Sequence, residues 1–153
     1  MSAVLKPAIE LRPMTGADLP AVMAIESAIY AFPWTRGNFS DSLAAGYSCW
    51  ICVRDDELIG YAVLMLASDE AHLLNLSIAA ACQRQGYGGL LLRRLGEVAR
   101  GCGARQILLE VRPSNVAGLG LYERHSFKQM GMRRDYYPAQ AGREDALILG
   151  LPL

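Results

Sequence analysis

Three groups of residues in this chain could do chemistry: a glycine-bearing turn, Gln83-Arg84-Gln85-Gly86-Tyr87-Gly88-Gly89; a carboxylate, Glu110, near the end of an apolar run; and a phenol, Tyr122, on a short segment that begins near Asn115. The turn follows the apolar stretch Asn75-Leu76-Ser77-Ile78 and leads into a leucine-rich segment. A strand that passes through glycines into a helix presents unpaired backbone N–H groups, and with the positive end of the helix dipole these form an anion site. Gly86, Gly88 and Gly89 remove the side chains that would hold a phosphate away from the backbone. Glu110 lies in Ile107-Leu108-Leu109-Glu110-Val111-Arg112, a strand too apolar to take up a carboxylate casually. It reads either as a general base or as a strand-end acid paired with Arg112 or Arg105. A phenol keeps its proton at neutral pH and can give it to a departing anion, although a helical tyrosine read without context is more often core packing.

These groups need a scaffold, and the hydrophobic pattern supplies one. Ile9 to Met14 is a first strand. Thr15 caps a helix running to Ile29, with Asp18 in its first turn and Leu19, Val22, Met23, Ile25 and Ile29 at helical spacing. An aromatic loop, Tyr30-Ala31-Phe32-Pro33-Trp34, precedes a second helix capped by Thr35 and carrying Phe39 and Leu43. Tyr47–Val53 and Leu58–Leu66 read as a hairpin around Arg54-Asp55-Asp56-Glu57, and His72–Ala79 as the strand before the glycine turn. The helix from Gly86 to Arg100 carries Leu91, Leu95, Val98 and Cys102 on one stripe, with Leu92 and Ala99 beside it, and stops at Gly101-Cys102-Gly103. Gln106–Val111 is a strand. Ser114 caps a further helix to His125, on which Asn115, Leu119 and Tyr122 share a face. Phe127–Arg133 and Asp145–Leu151 complete the order β-α-α-β-β-β-α-β-α-β-β. That order reads as an α/β chain with one mixed sheet and helices on both faces.

With 153 residues, 52% of them apolar and 20% charged, the chain reads as a single globular domain spanning residues 1–153. Fifteen basic residues balance fifteen acidic ones, so no global field points to nucleic acid or to an anionic membrane. The longest uncharged apolar run, Leu58 to Ala67, is too short to cross a bilayer. The first residues show no signal-peptide pattern, and a cytoplasmic location is expected. Cys49 and Cys52 spell C-x-x-C, but strand residues three apart face opposite sides and cannot readily share a metal or a bridge. Together with Cys82 and Cys102 they read as buried packing thiols. His72 and His125 show no ligand spacing, and no metal is expected.

Known glycine-turn families sort the possibilities. A P-loop needs a lysine and a Ser/Thr directly after the glycines, where this chain has Leu90 and Leu91. A dinucleotide fingerprint needs a third glycine at Leu91 and a place after the first strand. The segment Gln-Arg-Gln-Gly-Tyr-Gly at 83–88 instead resembles the Q/R-x-x-G-x-G/A turn of the GNAT N-acetyltransferases. The resemblance extends over Asn75–Ile78, Leu108–Asn115, Leu121–Phe127, Arg133–Pro138, Gly142–Leu149 and the Ala31–Trp34 loop, which look like the RimI branch of that family, the ribosomal-protein-alanine N-acetyltransferases.

The resemblance implies a GNAT fold with a mostly antiparallel mixed sheet, and transfer of an acetyl group from acetyl-CoA to the N-terminal α-amine of a protein, of ribosomal origin in that branch. It implies Glu110 as proton acceptor and Tyr122 as proton donor to the departing thiolate. Backbone groups of Leu76, Ser77 and Ile78 would pair with the pantetheine arm and polarise the thioester. Arg84, Gln85, Gly86, Tyr87, Gly88 and Gly89 would hold the pyrophosphate, and Asn115 would contact the cofactor. Tyr30, Phe32, Trp34, Tyr136 and Tyr137 are candidate walls of a peptide groove, whereas Arg133 and Arg134 read as solvated charges. The expected partner is a protein N-terminus, without nucleic acid or membrane, and the expected state is a monomer or weak dimer. Two other functions stay open on the sequence: a GNAT enzyme for another amine, such as a lysine, a polyamine or a small molecule, and a non-catalytic acyl-CoA-binding module.

The chain departs from the family pattern at three places. Ala79-Ala80 replaces the usual Asp-Pro. Ser126 stands where a glycine is usual before Phe127, a position that often needs a left-handed backbone. Gly118 and Gly120 stand where alanines are typical, and each weakens a helix by roughly 1 kcal/mol.

Overall fold

In the computed structural model, which describes residues 6–153, the elements follow the order that the sequence predicts. They are β1 (Ile9–Pro13), α1 (Leu19–Ile29), α2 (Arg36–Ala44), β2 (Ser48–Arg54), β3 (Glu57–Ala67), β4 (Glu70–Ile78), α3 (Tyr87–Gly101), β5 (Gln106–Val111), α4 (Val116–Arg124), β6 (Lys128–Pro138) and β7 (Arg143–Pro152). Single 3-10 turns at Gly16–Asp18 and Ala80–Cys82 lead into α1 and toward α3. The strands lie in the order β1-β2-β3-β4-β5-β7-β6. β4 and β5 run parallel, whereas β1–β2, β5–β7 and β6–β7 are antiparallel. The chain divides into two compact units, one of residues up to 62 with 76–91, the other of 63–75 with 92–153.

In the first unit, local chemistry sets the element ends. Asp55 and Asp56 both have positive φ, 49° and 66°, as the two central residues of the tight hairpin turn between β2 and β3 must. Thr15 and Asp18 form a reciprocal capping box, and Asp18 accepts both guanidinium nitrogens of Arg12 at 3.0 and 3.1 Å. Burial raises the Asp18 carboxyl, but the Arg12 and Thr15 hydrogen bonds outweigh it and hold the group below its ordinary value. Thr35 caps α2 by accepting from the Asn38 amide. Cys49 and Cys52 are both buried on β2. Burial pushes the Cys49 thiol up to about 11, so it stays neutral as a packing group.

The second unit is built around β5, whose Ile107, Leu109 and Val111 alternate into the core while Glu110 lies on the other face. Three expectations are corrected here. The cap of α4 is Asn115, not Ser114: Asn115 Oδ1 accepts from the Gly118 amide at 3.0 Å, which places Asn115 just outside the helix. Cys102 is exposed, because α3 ends at Gly101 and the chain turns away through Gly103 at φ 84°. β6 continues five residues past Arg133, to Pro138. It lies at one end of the strand order and is mostly exposed, so no alternating apolar pattern marks it in the sequence.

Candidate active site

The residues expected to bind the donor lie on β4 and the turn into α3. Gln83 folds its side-chain amide back to donate to the Ile78 carbonyl at 3.0 Å, closing the turn onto the strand. Arg84 and Gly86 both take the left-handed backbone, φ 63° and 89°, and so bend the chain twice within three residues. The amide of Leu90 donates to the Gly86 carbonyl at 3.1 Å, so the amides of residues 87–89 precede the first bond of the helical ladder. Apart from Gly86 and its two chain neighbours, nothing lies within 4 Å of where a Gly86 Cβ would stand. The turn is therefore open above its own backbone, a shape suited to a phosphate. Arg54 donates to Gln85 Oε1 at 3.3 Å, Gln85 donates to the Ala81 carbonyl at 3.2 Å, and the guanidinium lies 5.7 Å from the centre of the Tyr87 ring.

Ser77 is buried, and its Oγ lies 2.6 Å from the Tyr30 hydroxyl. Burial is the main reason the Tyr30 phenol is raised. Next to this pair runs a network that the sequence reading missed. Glu26, fully enclosed on α1, accepts the Tyr61 hydroxyl at 2.7 Å on one oxygen and the Trp34 amide at 2.9 Å on the other. The aromatic loop is thus tied down at both ends, at Tyr30 and at Trp34. The Trp34 ring packs on Phe39 at 5.0 Å, while Phe32 is exposed. One signal was available. Leu19, Val22 and Ile29 place position 26 on the apolar stripe of α1, and an acid there has a buried task.

The residues expected to carry the chemistry lie on β5, α4 and β6. The β4–β5 ladder runs from Glu70↔Gln106 to Leu73↔Leu109 and stops one residue short of Glu110, which pairs across to Ile148 on β7. The partner of Glu110 is neither Arg112 nor Arg105. Arg133 reaches it, Nε to Oε1 at 3.2 Å, so Arg133 is not a merely solvated charge. The Tyr136 phenol is raised, chiefly by the nearby Glu110 carboxylate. Tyr137 is pushed up to about 12, by burial and then by the Glu110 charge. Arg112 lies 4.3 Å over the Tyr137 ring, donates to the Pro138 carbonyl at 2.7 Å and pairs with Glu144 at 3.2 Å. Glu144 also accepts the amide and hydroxyl of Ser114, both at 2.9 Å. Tyr122 is 7% exposed and meets the Phe127 ring at 5.5 Å. Glu110 and Arg133 are therefore brought together, with the Tyr136 ring beside the guanidinium, whereas Asn115 spends its carbonyl oxygen on the helix cap. Among the described residues no three His, Cys, Asp or Glu side chains are grouped to hold a metal ion.

The family model of the acetyltransferase (GNAT) family matches residues 19–127. The chain belongs to this family of acyltransferases. The family uses acetyl-CoA as its acetyl donor. The chain is 38% identical over 136 residues to the [ribosomal protein bS18]-alanine N-acetyltransferase of Escherichia coli K12, an alignment covering 89% of this chain and 92% of that one. It is 36% identical over 140 residues to the protein of the same name from Salmonella typhimurium, covering 92% and 95%. The crystal structure of the Escherichia coli ribosomal-protein-S18-alanine N-acetyltransferase superposes with a TM-score of 0.88 at 35% identity, covering 95% of this chain and 94% of that one. The chain is thus a GNAT enzyme of the RimI type, with that fold.

Proposed function

We propose that this enzyme transfers the acetyl group of acetyl-CoA to the N-terminal α-amine of a protein, an alanine of a small-subunit ribosomal protein such as bS18, in the cytoplasm. The observation that carries this reading is the similarity over nine-tenths of the chain to enzymes named for that reaction. The acceptor chemistry agrees with it. An α-amine titrates near about 8 and a lysine near about 10.4, so deprotonation at pH 7 costs roughly 1 kcal/mol for the first and about 4–5 for the second. A single carboxylate working through water suffices for the α-amine.

Acetyl-CoA supplies the acyl group as a thioester. The open turn from Arg84 through Gly89 binds its pyrophosphate with backbone amides and the Arg84 charge, Gln85 and Tyr87 bracing the turn. Backbone groups of Leu76, Ser77 and Ile78 pair with the pantetheine arm as an added strand would, and one amide polarises the carbonyl. Asn115 contributes its free amide nitrogen to the donor. Glu110 accepts, through water, the proton lost by the amine as the N–C bond forms. Tyr122 gives its proton to the sulfur as the C–S bond breaks. Phe32, Tyr136 and Tyr137 line the acceptor side, with Tyr30 and Trp34 fixing the loop that carries Phe32.

Mass spectrometry after incubation with acetyl-CoA tests the reading. An alanine-initiated peptide should be acetylated at its α-amine, far faster than a peptide blocked at that end but carrying lysines, or than a polyamine. Transfer to the lysine or polyamine only, or tight acetyl-CoA binding with no transfer to any amine, would replace it.

A further inference from the structure

Arg133 pairs with Glu110 at 3.2 Å and has the Tyr136 ring beside it, yet a regular strand would not bring Arg133 and Tyr136 together. Residues three apart on a strand point to opposite faces. β6 escapes this through an irregularity. Arg133 pairs with Ala146 and Tyr137 with Glu144, so three β6 residues stand opposite the single β7 residue Asp145. Within that excursion Asp135 takes the left-handed backbone, φ 51°. Two β7 side chains fasten it. Asp145 Oδ1 accepts the Asp135 amide at 2.9 Å, and Arg143 donates to the Asp135 carbonyl at 2.7 Å and to the Tyr136 carbonyl at 2.9 Å. The Arg133 guanidinium then lies 5.7 Å from the Tyr136 ring centre, while its Nε stands 3.2 Å from Glu110 Oε1. β7 lies between β6 and β5, and at the Arg133 position it offers only the methyl of the buried Ala146. A long side chain can therefore cross it.

We propose that this fastened bulge is a device for aiming the base: Arg133 is the positioning residue for Glu110, Tyr136 steadies Arg133, and Asp145 and Arg143 hold the bulge that sets the Tyr136 ring beside it. The inference rests on Glu110 as the proton acceptor and says how that group is held. The ion pair at 3.2 Å restricts the rotamers of the carboxylate, and the Tyr136 ring beside the guanidinium restricts those of Arg133 in turn. A base that wanders by about 1 Å can lose as much as 100-fold in rate. The Gly142–Leu149 motif, which has no direct chemical part, gains a role through its Arg143 and Asp145.

Steady-state kinetics with an alanine-initiated peptide and acetyl-CoA test this through a double-mutant cycle. Arg133→Ala should lower kcat about ten-fold with the KM for acetyl-CoA unchanged, and Arg133→Lys should recover part of the loss. Asp145→Ala should reproduce the Arg133→Ala defect, whereas Asp145→Asn, which keeps the acceptor oxygen, should not. If Arg133 acts through Glu110, adding Arg133→Ala to Glu110→Gln should cost less than two-fold more. A full multiplicative loss in that background, or parental kcat in Arg133→Ala, overturns the inference and leaves Glu110 as base intact. Parental kcat in Glu110→Gln would instead remove the base itself. Should Asp145→Ala fail to fold, the Arg133–Glu110 cycle decides the matter without it.

Discussion

Tyr122 and Phe127 close one helix end together. The Phe127 amide donates to the Tyr122 carbonyl at 3.0 Å, the Ser126 amide donates to Glu123 at 3.0 Å, and the two rings meet edge-on at 5.5 Å. This is the double closure and apolar contact of a Schellman end. The position of the proposed acid therefore depends on the residue between them, Ser126, which is held at φ 70°. A side chain in that region costs roughly 1 kcal/mol. Ser126→Gly should raise the melting temperature by about 2–4 °C. A lower melting temperature would show that serine makes a compensating contact.

The two glycines of α4 should respond differently. A Cβ at Gly120 would meet only the mobile Arg124 guanidinium, at 3.1 Å, so Gly120→Ala should stabilise by about 1 kcal/mol. A Cβ at Gly118 would stand 2.6 Å from the Asn115 amide nitrogen and push the cap aside. The gain in propensity is then offset by a lost cap of about 1 kcal/mol, and Gly118→Ala should gain nothing. Urea midpoints check both. Equal gains at the two positions would mean that Asn115 moves aside freely.

Removing the enclosed carboxylate of α1 should be costly. Glu26→Ala strands the Tyr61 hydroxyl and the Trp34 amide, each worth about 1–3 kcal/mol when buried without a partner. The variant should lose about 2–6 kcal/mol and alter Trp34 fluorescence. A parental melting curve would mean that the aromatic loop does not depend on this network.

Element order was legible in the sequence, as were the place of the glycine turn before α3 and of Glu110 late in β5, because each rests on local pattern. The two hairpin aspartates, the Thr15 and Thr35 caps and the alternation of β5 are properties of neighbours along the chain. What escaped is tertiary. The ion pair of Glu110 with Arg133 spans β7, and the bulge that sets the Tyr136 ring beside it leaves no period to read. Glu26 was passed over because an acid on a helix is ordinarily solvated, and only its register with Leu19 and Val22 places it inside. The left-handed Ser126 was foreseen from the family's glycine at that position, and its φ agrees.

Acid should weaken the fold partly through Asp18. Its carboxyl is lower in the folded chain than its ordinary 3.8, so it contributes stability that is present above that value. The contribution is lost as pH falls through the folded value. Asp18→Asn should therefore melt below the parent at pH 7, and the gap should close as pH falls below about 4. A gap that stays constant with pH would mean that the charge of Asp18 contributes nothing.

The central claim, that Glu110 takes the proton from an α-amine, is tested most directly by the rate of Glu110→Gln on an alanine-initiated peptide across pH 6.5–9. A general base contributes about 100-fold or more where the amine is mostly protonated, and less as solvent deprotonates it. The variant should lose at least that much near pH 7, with the deficit shrinking steadily toward pH 9. A variant as fast as the parent at pH 7, or one whose deficit does not change with pH, would contradict it.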